Sequence, residues 1–334
     1  MSKTAIFEIR SLFHQHVIPM KNILQGLGVI FTLIATFLGL MYFLKGDIIV
    51  SSLVTCVIVV FEFFLIQQFI TNKNEISKNR FSVLSIMLWT IYLILAVPMT
   101  FALLHALNVE INAKKDIQAV ANTKILDLDK MVSVYNTQVD AYLTKKRTDL
   151  KTSLSYYAAD PSSEKKEALK KPPFNVPSSV LNSVNEGNVN SKSVSLINAD
   201  QLLFSKIVKD SITPEITYYK EQYGAVFDNW SRLHLNYAFF ELDRLLEKNH
   251  NRLTNSFKTN APGQDAGFQF AYTKDQTYIN DPLALWSKHK PYYLLLVVIF
   301  FHVLILLPYF MEPVSGIYRG ATQKGTVTSG GIEL

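Results

Sequence analysis

Hydrophobic positions are not spread evenly along this chain. They gather into four runs, Asn22–Leu44, Ile48–Ile70, Phe81–Leu107 and Tyr292–Met311, and the rest is polar. Hydrocarbon about 30 Å thick takes roughly 20 helical residues to cross. Only helices and closed barrels satisfy their own backbone there. The runs lack the period-two alternation of barrel strands. The pattern predicts an all-α membrane protein with four transmembrane helices.

A different pattern governs residues 108–290. Apolar side chains recur at Ile117, Ala121, Ile125, Leu128, Val132, Tyr135, Val139 and Tyr142, in alternating steps of three and four. That is the seam of a long amphipathic helix. No Pro or Gly interrupts Asn112–Tyr157, so the helix would be roughly 70 Å long. A second such stripe follows Pro214, which suits a first helical turn. It runs through Tyr219, Tyr223, Val226 or Phe227, Trp230, Leu233, Tyr237, Phe240 and Leu245. The two stripes predict a long, coiled-coil-like helical hairpin between spans 3 and 4. The aromatic stripe has two readings. It is core packed against the first helix, or a partner-binding face in which Tyr219, Tyr223, Phe227, Trp230 and Tyr237 are the anchors. Between the stripes, Ala159–Gln201 carries Pro161, Pro172, Pro173 and Pro177, and is expected to be a distal cap or long loop. Thr259–Ser287 is also irregular and leads to Trp286, Tyr292 and Tyr293, an interfacial aromatic belt.

Charge orients the spans. Thr71–Arg80 carries Lys73, Lys78 and Arg80 against Glu75. Lys3, Arg10 and Lys21 precede span 1, and Arg319 and Lys324 follow span 4. Short loops rich in Lys and Arg stay in the cytoplasm, while long domains are exempt from that rule. Both termini are therefore expected inside, with residues 108–290 on the extracytoplasmic (periplasmic) side. Nothing in the first 21 residues reads as a cleavable signal, so span 1 is expected to serve as the insertion signal. The external domain holds 24 Lys and Arg against 21 Asp and Glu, a mixed solvated surface. It shows no basic patch interleaved with aromatics, which excludes nucleic acid as a partner class. The one cysteine, Cys56, lies in span 2, so no disulfide staples the external domain.

The inner ends are short. Residues 1–21 place Ala5, Ile6, Ile9, Leu12, Phe13, His16 and Val17 on one face, an amphipathic segment for the membrane interface or a partner. Residues 312–334 hold five of the 13 glycines and have no means of folding alone. This tail, with Ile317, Tyr318 and Arg319, is expected to be an extended docking peptide for a cytoplasmic partner.

Catalytic signatures are absent. Gly320 and Gly325 have phosphate-loop spacing, but Thr326 stands where lysine is needed. There is no nucleophile elbow, HExxH motif or cysteine pair. No enzyme, cofactor or metal site is expected. The unusual feature is Glu62 inside span 2. A carboxylate at that depth is costly and normally faces the bundle interior with a partner. His302 in span 4 lies at a matching depth, which makes Glu62 and His302 a candidate intramembrane pair. Three roles are open: hydrogen-bonded helix glue, a Glu–His contact that fixes register, or a proton relay.

A receptor would need an output domain inside, and a carrier a polar midplane site in broken spans. An oligomeric scaffold fits better, anchored in lipid and touching envelope and cytoplasmic partners. The ordering of KNILQGLGVIFTLIATFLGLMYFL, the NKNEISKNR loop, the long helical insert and YYLLLVVIFFHVLILLPYF resembles TssN-like inner-membrane components of type VI secretion systems in Bacteroidetes. The resemblance covers the whole chain in order and size, and no functional residue is carried over. It implies a trans-envelope complex in the bacterial inner membrane that anchors a baseplate and contacts periplasmic proteins. The alternative is a proton-conducting or energy-coupling subunit of a membrane motor that uses Glu62. Another secretion or conjugation apparatus is a third possibility.

Overall fold

A computed structural model describes residues 20–75, 83–262 and 267–311. The N-terminal amphipathic segment, Lys78 and Arg80, and the tail with Ile317, Tyr318 and Arg319 lie outside the described residues. The chain divides into two compact units. One comprises residues up to Lys115 and from Tyr278 onward; the other is Asp116–Thr277. Among the described residues every regular element is helical.

The first unit holds four helices long and apolar enough to cross a membrane. They are α1 (Met20–Phe43), α2 (Ile48–Glu75), α3 (Val83–Leu107) and, after the short α10 (Pro282–His289), α11 (Tyr292–Met311). Each has large apolar side chains facing outward, such as Ile30, Leu53, Ile94 and Leu296, as lipid contact demands. A tight turn reverses the chain between α1 and α2. Lys45 and Gly46 take positive φ there (57° and 86°), and the Gly46 amide donates to Met41 O at 2.8 Å. Asp47 Oδ1 accepts from the Val50 amide at 3.0 Å and starts α2.

Small residues let the helices approach closely. A Cβ on Gly39 would lie 1.9 Å from Ala102 O of α3, and one on Gly28 would lie 3.2 Å from Ile305 Cγ1 of α11. Phe31 and Phe301 stack with centroids 3.7 Å apart. Two apolar clusters result. One joins Leu65, Ile66, Phe69, Leu88, Tyr92 and Ile305. The other joins Ala35, Leu103, Leu104, Leu294 and Val298.

The second unit is more elaborate than a hairpin. Its helices are α4 (Lys114–Ala159), α5 (Ser163–Lys170), α6 (Ser178–Leu181), α7 (Val189–Ile207), α8 (Thr213–Asp228) and α9 (Leu235–Asn260). A π-helical segment, Asn108–Ala113, joins α3 to α4, and another, Val208–Ile212, joins α7 to α8. Ala159–Gln201, expected to be a distal cap or long loop, is largely helical. Its prolines end at Pro177, and Leu169, Val176, Leu181, Val189 and Ile197 are all buried. The single aromatic helix expected after Pro214 is in fact two. The chain breaks after Asp228, where Trp230 takes φ 50° and the Ser231 amide closes back on Val226 O at 2.9 Å.

Aromatic rings fill the core of this unit. Tyr135 of α4 lies 6.5 Å from Phe204, 6.3 Å from Phe257 and 5.5 Å from Phe268 between centroids. Two lysines on α4 are buried with partners. Lys124 meets Asp243 at 2.6 Å, and Lys146 meets Asp200 at 2.9 Å. Each ties α4 to another helix of the unit, Lys124 to α9 and Lys146 to α7.

Candidate functional site

The bundle carries a polar layer at mid-depth. Asn72 donates to Ser85 Oγ at 2.6 Å, and Phe69 packs on Trp89 with centroids 4.6 Å apart. Continued along these antiparallel helices at about 1.5 Å per residue, that register sets Glu62 opposite the turn of Ala96. His302 of α11 lies between Tyr92 and Thr100 of α3, at the same turn. Its Nδ1 is 3.1 Å from the Tyr92 hydroxyl and its Nε2 is 2.9 Å from Thr100 Oγ1. One tautomer accepts from Tyr92 and donates to Thr100; the other reverses both bonds.

The sequence offered Glu62 and His302 as an intramembrane pair. No hydrogen bond or ion pair joins the two among the described residues, and both imidazole nitrogens bond to α3. Glu62 is 3% exposed, and its Oε1 has no partner among the described residues. Thr32 and Thr36 on α1 and Ser51 on α2 are also buried, with hydroxyls unpartnered among those residues. Near the other end of the bundle, Tyr42 donates to Glu110 Oε1 at 2.6 Å. Depth counting along spans 2 and 4 missed Tyr92 and Thr100. They are eight residues apart on span 3, and only a side chain inserted between their turns links them.

The second site is a groove between α8 and α9, with a cavity of about 440 Å³. The sequence proposed Tyr219, Tyr223, Phe227, Trp230 and Tyr237 as one partner-binding face. The structure separates them. Tyr219, Phe227 and Trp230 are buried, which is the core reading of the stripe. Tyr223 and Tyr237 line the groove, joined by Tyr218, which lies on the neighbouring helical face. Tyr218 and Tyr237 are 62% and 50% exposed. The rings form a ladder, with centroids 5.3 Å apart between Tyr219 and Tyr223 and 5.7 Å between Tyr223 and Tyr237.

Charged side chains edge this ladder in internal pairs. Glu215 Oε1 accepts from Lys248 Nζ at 2.9 Å and Arg252 Nη1 at 2.8 Å. Its Oε2 is buried without a partner among the described residues. Burial pushes the Glu215 carboxyl up, but the bonds from Lys248 and Arg252 outweigh it and hold the group below the usual carboxylate range. Glu241 pairs with Arg244 at 2.6 Å. The Tyr219 hydroxyl donates to Ala238 O at 2.9 Å, and burial, aided by the Asp243 charge, raises it well above the ordinary phenol range. Tyr219 thus offers its ring, with its hydroxyl already committed. Glu215, Tyr218, Arg244 and Lys248 were missed because none extends the apolar stripe.

No family model, curated protein or solved structure matches this chain. The four apolar helices define a multi-pass membrane protein.

Proposed function

We propose that the chain is a non-enzymatic scaffold of the bacterial inner membrane, within a trans-envelope secretion complex of the type VI kind that its organisation resembles. Both termini lie in the cytoplasm, where the 312–334 tail docks a baseplate-like partner. The helical unit between spans 3 and 4 lies in the periplasm and contacts envelope proteins. One observation carries the reading. Large apolar side chains stay exposed on that unit, among them Leu202, Leu203, Leu233 and Phe240 at 68%, 56%, 44% and 63%. Covering such side chains with a partner chain removes apolar surface from water and favours association. Gentle purification through an N-terminal tag tests it. Envelope and baseplate chains co-purify, and Phe240→Glu releases the envelope set. Isolation of the chain alone refutes the proposal.

Glu62 Oε1, buried with no partner among the described residues, favours a second reading, a proton-conducting or energy-coupling subunit. Under it, proteoliposomes take up protons under an imposed potential and Glu62→Gln stops the uptake. Equal uptake by wild type and variant removes this reading.

A further inference from the structure

The geometry points to the α8–α9 groove as a carbohydrate-binding site that takes the pyranose rings of a neutral glycan. Its volume, about 440 Å³, falls within the range of small-molecule sites. Tyr218, Tyr223 and Tyr237 are at least partly exposed and offer flat apolar surface with little rotamer freedom to lose on binding. A pyranose has a matching flat C–H face.

The polar groups narrow the ligand class further. The Glu241 carboxylate accepts from Arg244 and keeps acceptor capacity at the groove wall. Arg244 and Lys248 each spend one contact on a carboxylate and keep further N–H donors free to bond a ligand. Their side chains are 65% and 42% exposed. A ligand must therefore both donate and accept. Hydroxyl groups do both. An ammonium cation only donates and is repelled by Arg244, Lys248 and Arg252. A phosphate accepts but is repelled by Glu215 and Glu241. The groove suits a neutral polyol and is poorly matched to a simple ion.

This inference stands apart from the secretion reading, since binding is measured on the purified chain. The full chain is placed in nanodiscs, because alkyl-glycoside detergents carry the same sugar chemistry. Saturation-transfer NMR then probes triacetylchitotriose and maltotriose separately. Transfer to ring protons of at least one trisaccharide is expected. Tyr218→Ala and Tyr237→Ala should each weaken binding by about tenfold, the worth of one stacked ring. Tyr156→Ala, outside the groove and also exposed, should leave binding unchanged, and circular dichroism confirms that each variant is folded. Absence of transfer from both sugars overturns the inference. So does transfer unaffected by the two groove substitutions, or binding of tyrosine-containing dipeptides without binding of sugars.

Discussion

Gly39 sits where α1 and α3 come closest, and replacing it tests the packing of the bundle. An alanine Cβ there would lie 1.9 Å from Ala102 O, 2.6 Å from Ala102 C and 3.0 Å from its Cα. All three are backbone atoms, so no rotamer change relieves the clash. Real Cβ contacts do not fall below 3.0 Å; the helices must therefore part by about 1.1 Å, the difference between those two distances. A gap of 0.5–1 Å forfeits roughly a quarter to a half of each dispersion contact across it. Overpacking a fitted interior costs roughly 1–3 kcal/mol, and a backbone obstacle places Gly39→Ala near the upper end. Alanine returns about 1 kcal/mol of helix propensity, which leaves a net loss of roughly 2 kcal/mol. Two glycines on the same helix calibrate the scale. Gly28→Ala meets Ile305 Cγ1 and Leu304 Cβ at 3.2 Å, and Gly26→Ala meets nothing within 4 Å. Unfolding by dodecyl sulfate in mixed micelles, followed by circular dichroism, should rank them Gly26→Ala, Gly28→Ala, Gly39→Ala from most to least stable. A Gly39→Ala protein as resistant as Gly26→Ala would refute the close α1–α3 approach.

Three further outcomes follow from the same contacts. Asn249 is fully buried, and neither side-chain amide atom has a partner among the described residues; Asn249→Leu should raise stability by roughly 1–3 kcal/mol, read as a higher thermal midpoint. Tyr92→Phe removes the bond to His302 Nδ1 and should cost about 0.6 kcal/mol, up to ~1.7, in the same micelle titration. Glu215 has a depressed folded-state pKa, so its contribution is present above the ordinary carboxylate range and is lost as pH falls through the depressed value. Glu215→Gln should flatten that acid-side loss in urea unfolding, and an unchanged slope would show that the Lys248 and Arg252 bonds add nothing.

The spans were legible because lipid demands uninterrupted apolar length, a signal no soluble core requires. Tyr292–Met311 agrees in both bounds with α11, whereas α2 continues past Ile70 to Glu75. Those extra residues include Asn72 and Lys73, whose side chains bond inward to Ser85 and to Tyr309 O, and polarity alone reads them as loop. The helices between Ser163 and Ile207 were hidden by proline, although Val189–Ile207 contains neither proline nor glycine. The groove was half legible. A three-four stripe finds the buried side of a helix, and it found Tyr219 and Phe227. Tyr218 lies one residue, about 100°, off that stripe, so it reads as ordinary surface. Only tertiary packing shows that a cleft runs past it. Glu62 was conspicuous from its neighbours, but which groups fill the layer depended on Tyr92 and Thr100 straddling His302.

Topology is the claim on which the scaffold reading turns, and cysteine accessibility measures it directly. Cys56 is the chain's one cysteine and is exposed on α2, so Cys56→Ser gives a blank background. Tyr156→Cys then places a single thiol on α4, at a position 68% exposed. The account predicts that a membrane-impermeant maleimide labels it in intact spheroplasts as fully as after lysis. Labelling that appears only after lysis would put residues 108–290 in the cytoplasm and contradict the account.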